Sequence, residues 1–262
     1  YPVFMLSFPA AAFATNCYVV ATAPGQECLV IDPGIGVVDT LRSVFTEHRL
    51  RPAAVLLTHG HLDHVFSVTP VCRDAGPAYL PAFIHGDDRY RLENPVDLLS
   101  PDLKAMFIQQ FGRDGWQEPA DVKTIADGEQ VQVAGIDLTC WHAPGHTEGS
   151  VMFGMDAIAD GVPGELDRTM FSGDVLFAGS IGRTDLAGGS TEAMTDSLRD
   201  VVLPLADSTL VLPGHGPATT MKRERATNPY LQGLTAVSKI APISGFPEYS
   251  PASASSSSAS ST

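Results

Sequence analysis

Three of the chain's eight histidines and one aspartate fall within six residues, in the segment Thr58-His59-Gly60-His61-Leu62-Asp63-His64. Imidazole and carboxylate are donors that zinc and neighbouring first-row ions accept, at about 2 Å from the metal. The apolar run Ala53-Ala54-Val55-Leu56-Leu57 comes just before them and reads as a buried strand. Side chains two apart at a strand end point the same way, so His59 and His61 are placed to share one ion. A helix opening at Asp63 would turn the backbone and send Asp63 and His64 toward a second position. Any one of these histidines alone would read as a surface or capping residue. The whole cluster, set after a buried strand, reads as a metal site.

More donors of the same kind follow. His146 lies in Ala143-Pro144-Gly145-His146-Thr147-Glu148-Gly149-Ser150, Asp174 in Phe171-Ser172-Gly173-Asp174-Val175-Leu176-Phe177, and His215 in Leu212-Pro213-Gly214-His215-Gly216-Pro217. Each follows an apolar, strand-like run and a glycine, where a strand gives way to a loop. Donors drawn from four distant places require a site along one edge of a sheet. No GxSxG serine motif accompanies them.

On the segments THGHLDH, PGHTEGS, SGDVLFAGSIGRTD and LPGHGPATT, the chain resembles the metallo-β-lactamase fold superfamily over roughly residues 3–232. Within it, the chain resembles the glyoxalase II (hydroxyacylglutathione hydrolase) branch. The resemblance implies an α/β fold, an αββα sandwich of two β-sheets flanked by helices, with the site at one edge of the sheets. It also implies two divalent metal ions, zinc first, with iron or manganese as alternatives. His59, His61 and His146 would hold the first ion, and Asp63, His64 and His215 the second, with Asp174 bridging. A hydroxide between the two ions would attack a carbonyl carbon, oriented by Asp63 and Asp174 as the catalytic carboxylates. The implied reaction is hydrolysis of a 2-hydroxyacyl thioester of the S-lactoylglutathione type.

Three alternatives stand beside it. A persulfide dioxygenase would need a single iron on His59, His146 and Asp174, and the retained His64 and His215 lean against it. A different ester or lactone substrate is the second. Within that second group the lactonase, β-lactamase and nuclease readings are weaker: several β-lactamases carry a cysteine where this chain has Asp174, and the acidic charge disfavours RNA. The third is a metal-bound scaffold without activity, which a full set of seven donors disfavours.

The departures from the glyoxalase II pattern concern the substrate. Many of those enzymes grip glutathione with a C-terminal helical domain and with tyrosines near the site. Here the resemblance ends near residue 232, and Pro217-Ala218 follows His215-Gly216. Arg183 stands where the family often has a lysine facing glutathione and is the expected substrate-binding residue, although Asp185 is an obvious internal partner for it.

The elements that must position these residues are partly readable. Cys28 to Ile31 reads as a strand, with Asp32 at its end a candidate support for the metal site. Apolar spacing predicts helices over Val37–Leu50, Val65–Ala75, Leu103–Phe111 and Thr191–Leu205. Ala78–Ile84 reads as a strand, and residues 77–120 as a cover over one rim of the site. His85 within that cover could face substrate, with an ordinary surface role favoured. Val131–Val133 and Ile136–Cys140 form a hairpin leading to His142, read as structural, and His146. Asp156–Asp167 reads as an exposed loop. One domain over 1–246 is expected, with a disordered Ser/Ala-rich tail over 247–262.

Composition narrows the partners. Sixteen basic against 30 acidic residues give a net charge of −14. That excludes a phosphate-backbone binder and an anionic membrane surface as partner, leaving a small acyl-thiol substrate and, as the simplest state, a monomer. The four cysteines, Cys17, Cys28, Cys72 and Cys140, form no CxxC and read as buried free thiols of a reducing compartment. No apolar run reaches the ~20 residues of a membrane span, and the apolar N-terminus lacks the basic start of a signal peptide. The expected location is cytoplasmic.

Overall fold

The computed structural model describes residues 2–76, 78–162 and 164–235; the tail expected over 247–262 lies outside them. The first six strands are β1 (Pro2–Pro9), β2 (Asn16–Ala21), β3 (Glu27–Ile31), β4 (Arg51–Leu56), β5 (Ala82–His85) and β6 (Val122–Ile125). The next six are β7 (Gln130–Val133), β8 (Ile136–His142), β9 (Val151–Met155), β10 (Ile158–Ala159), β11 (Arg168–Gly173) and β12 (Leu176–Phe177). The last three are β13 (Ser180–Ile181), β14 (Thr209–Pro213) and β15 (Thr219–Thr220). One sheet has the order β10-β1-β2-β3-β4-β5-β6, a second β15-β14-β11-β9-β8-β7, and β12-β13 form a small ribbon.

Strand alternation explains the layers. Along β2, Tyr18 and Val20 join Leu138, Cys140, Phe153 and Phe171 of the second sheet in the core between the sheets. Cys17, Val19 and Ala21 point the other way, as a period of two requires. There they meet Leu41 of α1 (Val38–His48) and Val68, Val71 and Cys72, two helices further along the chain. On the far face of the second sheet, Met152, Met170 and Val211 pack on Met194 and Leu198 of a later helix. The result is helix, sheet, sheet, helix, as expected. All four cysteines are buried free thiols. No helix among the described residues is long and apolar enough to cross a membrane.

Several boundaries differ from expectation, each for a local reason. The helix expected over Val65–Ala75 is broken into α2 (Leu62–Val65) and α3 (Val68–Asp74). Ser67 causes the break, because its N–H and Oγ both donate away from the helix, to Pro33 O and Gly34 O. Residues 77–120 are more than a cover: β5 lies inside the first sheet, followed by 3₁₀ turns over Gly86–Leu92 and Pro95–Leu98 and by α4 (Pro101–Phe111). The loop expected over Asp156–Asp167 contains β10, which pairs parallel with β1. The helix expected over Thr191–Leu205 is α5 (Thr191–Ser197) running into a π turn over Leu198–Val202. α6 (Met221–Thr227) closes the described fold, opened by the Thr220 hydroxyl as its N-cap.

Candidate metal centre

The donors gather at the C-terminal ends of strands. Parallel neighbours β3 and β4 end at Asp32 and just before Thr58, and parallel neighbours β11 and β14 end just before Asp174 and His215. The two sheets meet there, where Val151 N–H donates to Thr58 O at 2.9 Å. Ligands in open α/β sheets bind at this end.

The seven residues singled out in the sequence converge. His59 Nε2 lies 3.1 Å from His61 Nδ1, which lies 2.9 Å from His146 Nε2. His64 Nε2 lies 3.2 Å from His215 Nε2, and Asp63 Oδ2 lies 3.5 and 3.3 Å from those two nitrogens. Asp174 stands between the groups, with Oδ2 3.4 Å from His146 Nε2 and Oδ1 3.3 Å from His64 Nε2. The donor atoms of His59, His61 and His146, and those of Asp63, His64 and His215, each lie within 4.8 Å of one another.

Partners behind the rings fix which nitrogen faces inward. His64 Nδ1 donates to Asp32 Oδ2 at 2.8 Å, and His146 Nδ1 to Arg183 O at 2.8 Å. His215 Nδ1 donates to Phe13 O at 3.1 Å. The Thr58 hydroxyl donates to Asp32 Oδ2 at 2.6 Å, leaving its oxygen to accept from His59 Nδ1 at 3.1 Å. In each of these rings the Nε2 lone pair is therefore the one turned to the centre, as in sites where outer partners set the tautomer. Asp32 performs the support expected of it from a left-handed backbone (φ 50°), a conformation that costs a non-glycine residue about 1–2 kcal/mol. Gly214 is required for another reason: a Cβ there would run into Asp174 Oδ1 and His64 Cε1.

Outer partners that the sequence did not reveal hold the remaining loops. Asp88, fully buried, accepts from Gly60 N–H at 2.7 Å, Gly149 N–H at 2.8 Å, Thr147 Oγ1 at 2.8 Å and Arg91 Nε at 3.2 Å. Arg91, also fully buried, donates through Nη2 to Glu148 Oε2 at 2.5 Å and Ala187 O at 2.9 Å. One ion pair thus joins the loops bearing His59 and His61, His146, and Arg183. On the other side, Thr15 Oγ1 donates to Asp63 Oδ2 at 3.0 Å, and Asn16 Nδ2 to the carbonyls of Pro213 and Gly216. In the sequence, Asp88 and Arg91 fall within the stretch 77–120 read only as a cover over one rim of the site.

Electrostatics separate the two trios. Burial, reinforced by the neighbouring histidines, pushes His59 well below its usual range and His61 down to about 3, and burial also lowers His146. For His64 burial acts in the same sense, but the carboxylates of Asp174, Asp63 and Asp32 outweigh it and raise the ring well above its usual value. His215 is likewise raised, to about 9, by Asp174 and Asp63 against burial. Burial acts to raise Asp63, yet the nearby His64 and His215 bring it down to about 2.

The set suits metal. The Nε2 lone pairs of His59 and His146 both turn toward His61 Nδ1, a convergence that a cation among them satisfies, and Asp174 Oδ1 is buried without a hydrogen-bond partner. Nitrogen and carboxylate donors of this kind fit zinc, iron or manganese.

Two further expectations are resolved. His85 is buried rather than the surface residue expected, because its ring stacks on His142 at 4.0 Å and 10°. The donor atoms of His85, Asp87 and His142 also lie within 4.8 Å of one another, as a separate group that shares no residue with the seven. His142 is structural, with Nε2 donating to Glu148 O at 2.8 Å. Arg183 is already engaged: its Nε and Nη2 each donate to Asp185 at 2.7 Å.

An edge site of a three-histidine trio and an aspartate–two-histidine trio on a four-layer α/β sandwich defines a class of metal-dependent hydrolase folds. The family model of the metallo-beta-lactamase superfamily matches residues 10–215, and the chain belongs to that superfamily. It is 43% identical over 229 residues to an uncharacterized protein of Mycobacterium tuberculosis, covering 87% of this chain and 97% of that one. It is 32% identical to the hydroxyacylglutathione hydrolase GloC of Haemophilus influenzae, over 85% of this chain and 95% of that one. Among solved structures it is similar to the B3 metallo-beta-lactamase BLEG-1, with 32% identity, TM-score 0.70 and coverage of 88% and 100%. It is also similar to TTHA1623 in a di-iron-bound form, with 32% identity, TM-score 0.66 and coverage of 86% and 100%.

Proposed function

We propose that the protein is a two-metal hydrolase of a 2-hydroxyacyl thioester, releasing a hydroxy acid and a thiol. The observation that carries this reading is the pair of trios joined through Asp174, whose Oδ1 is buried without a hydrogen-bond partner. His59, His61 and His146 would hold one ion and Asp63, His64 and His215 the other, with Asp174 shared. Bound there, the ions would supply a nucleophile near neutral pH and a Lewis acid for the carbonyl oxygen. The chain's own part is to fix geometry and protons. Asp32, Thr58, Arg183 and Phe13 hold four rings in one tautomer, and Thr15 fixes the Asp63 carboxylate. Asp63, at the more open side, can orient the attacking water by accepting its hydrogen bond, and the thiolate leaves as a weak base that needs little help. The GloC relative supports the thioester class, and the di-iron relative supports two positions.

The test is metal analysis of the native protein with an activity panel on metal-quantified samples. Two equivalents of zinc, iron or manganese per chain and turnover of S-lactoylglutathione are expected. A single tight iron, with sulfite formed from a persulfide and activity intact in His215→Ala, would replace this reading with the dioxygenase. Faster turnover of a lactone or a β-lactam than of any thioester would replace the substrate class.

A further inference from the structure

Among the described residues, one group of metal-type donors stands apart from the seven: His85, Asp87 and His142. We infer that these three form an auxiliary site for zinc or another borderline divalent ion, which clips the two sheets together at the edge that carries the metal centre. The ion would be held there whatever reaction the seven perform.

Topology places the two rings. His85 is the last residue of β5 in the first sheet, and His142 the last of β8 in the second. β5 runs parallel to β4, so His85 stands at the same sheet edge as the loop bearing His59. β8 runs antiparallel to β9, and β9 to β11, so His142 stands at the edge where β11 ends before Asp174. Strand ends at this edge are where open α/β sheets take ligands. Across the gap between the sheets the two rings stack, 4.0 Å apart.

Donor chemistry fits a cation. The Asp87 N–H donates to His85 Nδ1 at 3.2 Å, so this nitrogen carries a lone pair and Nε2 the hydrogen. Asp87 Oδ2 lies 3.7 Å from His85 Nδ1 and 3.9 Å from His142 Nε2. Ligands of a tetrahedral zinc stand about 3.3–3.5 Å apart, given bonds of ~2.0–2.1 Å. The Asp87 side chain is 61% exposed and can swing through the small remaining distance. His142 Nε2 donates to Glu148 O at 2.8 Å, and moving that hydrogen to Nδ1 turns Nε2 into a ligand. A lone pair lies in its ring plane, so binding tilts the rings out of parallel.

Charge favours the ion as well. The carboxylates of Asp87, Asp88 and Asp127 all act on His85, and Asp127 accepts the His142 N–H at 2.9 Å. Asp88 is paired with Arg91, leaving Asp87 and Asp127 to offset the ion. Burial and the His142 ring lower His85, which keeps it neutral and able to bind at neutral pH. Three donors, one of them exposed, make a weaker site than the seven. Dialysis therefore empties it while the centre stays loaded.

The experiment titrates zinc into the full chain, dialysed with its centre loaded. Calorimetry should show one further equivalent bound. The ring-proton resonances of His85 and His142 should shift with it, and those of His48, which belongs to none of the donor groups, should not. Asp87→Asn, at an exposed position, should weaken this binding about tenfold or more and leave the tightly held ions in place, because a neutral amide is a poor zinc ligand. His142→Gln should act in the same direction. Zinc should raise the thermal midpoint of the loaded native chain by a few degrees, as a ligand of the folded state does, and not that of Asp87→Asn.

No further equivalent, or one bound equally well by the native chain and both variants, would overturn the inference. So would a shift at His48 in step with any at His85, which would mark an adventitious surface ion only.

Discussion

His59, His61 and His146 rest on loops drawn together by a buried ion pair, whereas Asp63 and His215 hang from the hairpin between β1 and β2. On the first side, Asp88 and Arg91 are fully buried and collect backbone and side-chain groups from three loops. On the second, the side chains of His215 and Asp63 are 29% and 22% exposed; Thr15 and Phe13 each make one bond to these side chains, while Asn16 and a β-bridge to Thr15 hold the backbone around His215. A buried charge pair with every loop tied to it fails as a unit when one partner is removed. Bonds that water can replace fail singly and gently. The same kinds of donor are thus mounted rigidly on one side and with more play on the other, nearest solvent.

Asp174→Ala should erase the comparison, since both trios share that carboxylate. Metal content should fall toward zero, and kcat/KM by about 10³-fold or more, as several kcal/mol of transition-state stabilisation are lost. Elemental analysis with steady-state kinetics reads both, and one full equivalent retained would mean that Asp174 belongs to one position only. His215→Ala should separate the halves, leaving close to one equivalent bound. If that variant also empties the first position, the halves are not independent.

The supports come next in size. Asp88→Asn should weaken metal binding at the first position by about 10–100-fold, the usual range for outer partners. Thr15→Val should act on the second position at the lower end of that range. Competition with a chelator on both variants measures the contrast, and equal effects of the two would remove the distinction drawn between rigid and compliant mounting.

Protons give the smallest and most specific test, on the metal-free protein. His215 has its folded pKa raised from 6.5 to about 9. Its contribution to stability is therefore complete below pH 6.5 and is lost as pH rises through about 9. His61 is lowered from 6.5 to about 3. The unfolded chain binds a proton there that the folded one refuses, so stability is lost as pH falls below 6.5. Thermal midpoints of metal-free protein should peak near pH 6.5. His215→Gln should flatten the alkaline limb and His61→Gln the acid limb. An unchanged alkaline limb in His215→Gln would show that another group produces it.

These contrasts also mark what a sequence can carry. The seven donors are legible because His59, His61, His146, Asp174 and His215 each sit beside a glycine after an apolar run, with Asp63 and His64 in the same short cluster as the first two, and strand ends are local features. The layers are legible because both faces of β2 and β3 are apolar. Asp88 and Arg91 are not, since nothing within Gly86–Leu92 distinguishes a buried hub from a charged turn until three distant loops close over it. Thr15 is hidden in the same way, its partner lying 48 positions away. β10 is two residues long, too short for any period to register. The Arg183–Asp185 pair is local, and it was visible as a possibility before the structure showed it made.

The hairpin that meets His215 has a further consequence, for the order in which the molecule is made. Asn16 bonds to Gly216 across 200 positions, and Thr15 forms a β-bridge with His215 itself. At about 5–20 residues per second of synthesis, these strands wait on the order of 10–40 s for their partners to leave the ribosome. Until then Asp63 and His64 have no third donor, and the Phe13 carbonyl and the unpaired end of β2 stand open. A nascent chain caught in that interval has its first trio complete once residue 146 has emerged, and its second incomplete. Chaperones and proteases would meet this one-sided form.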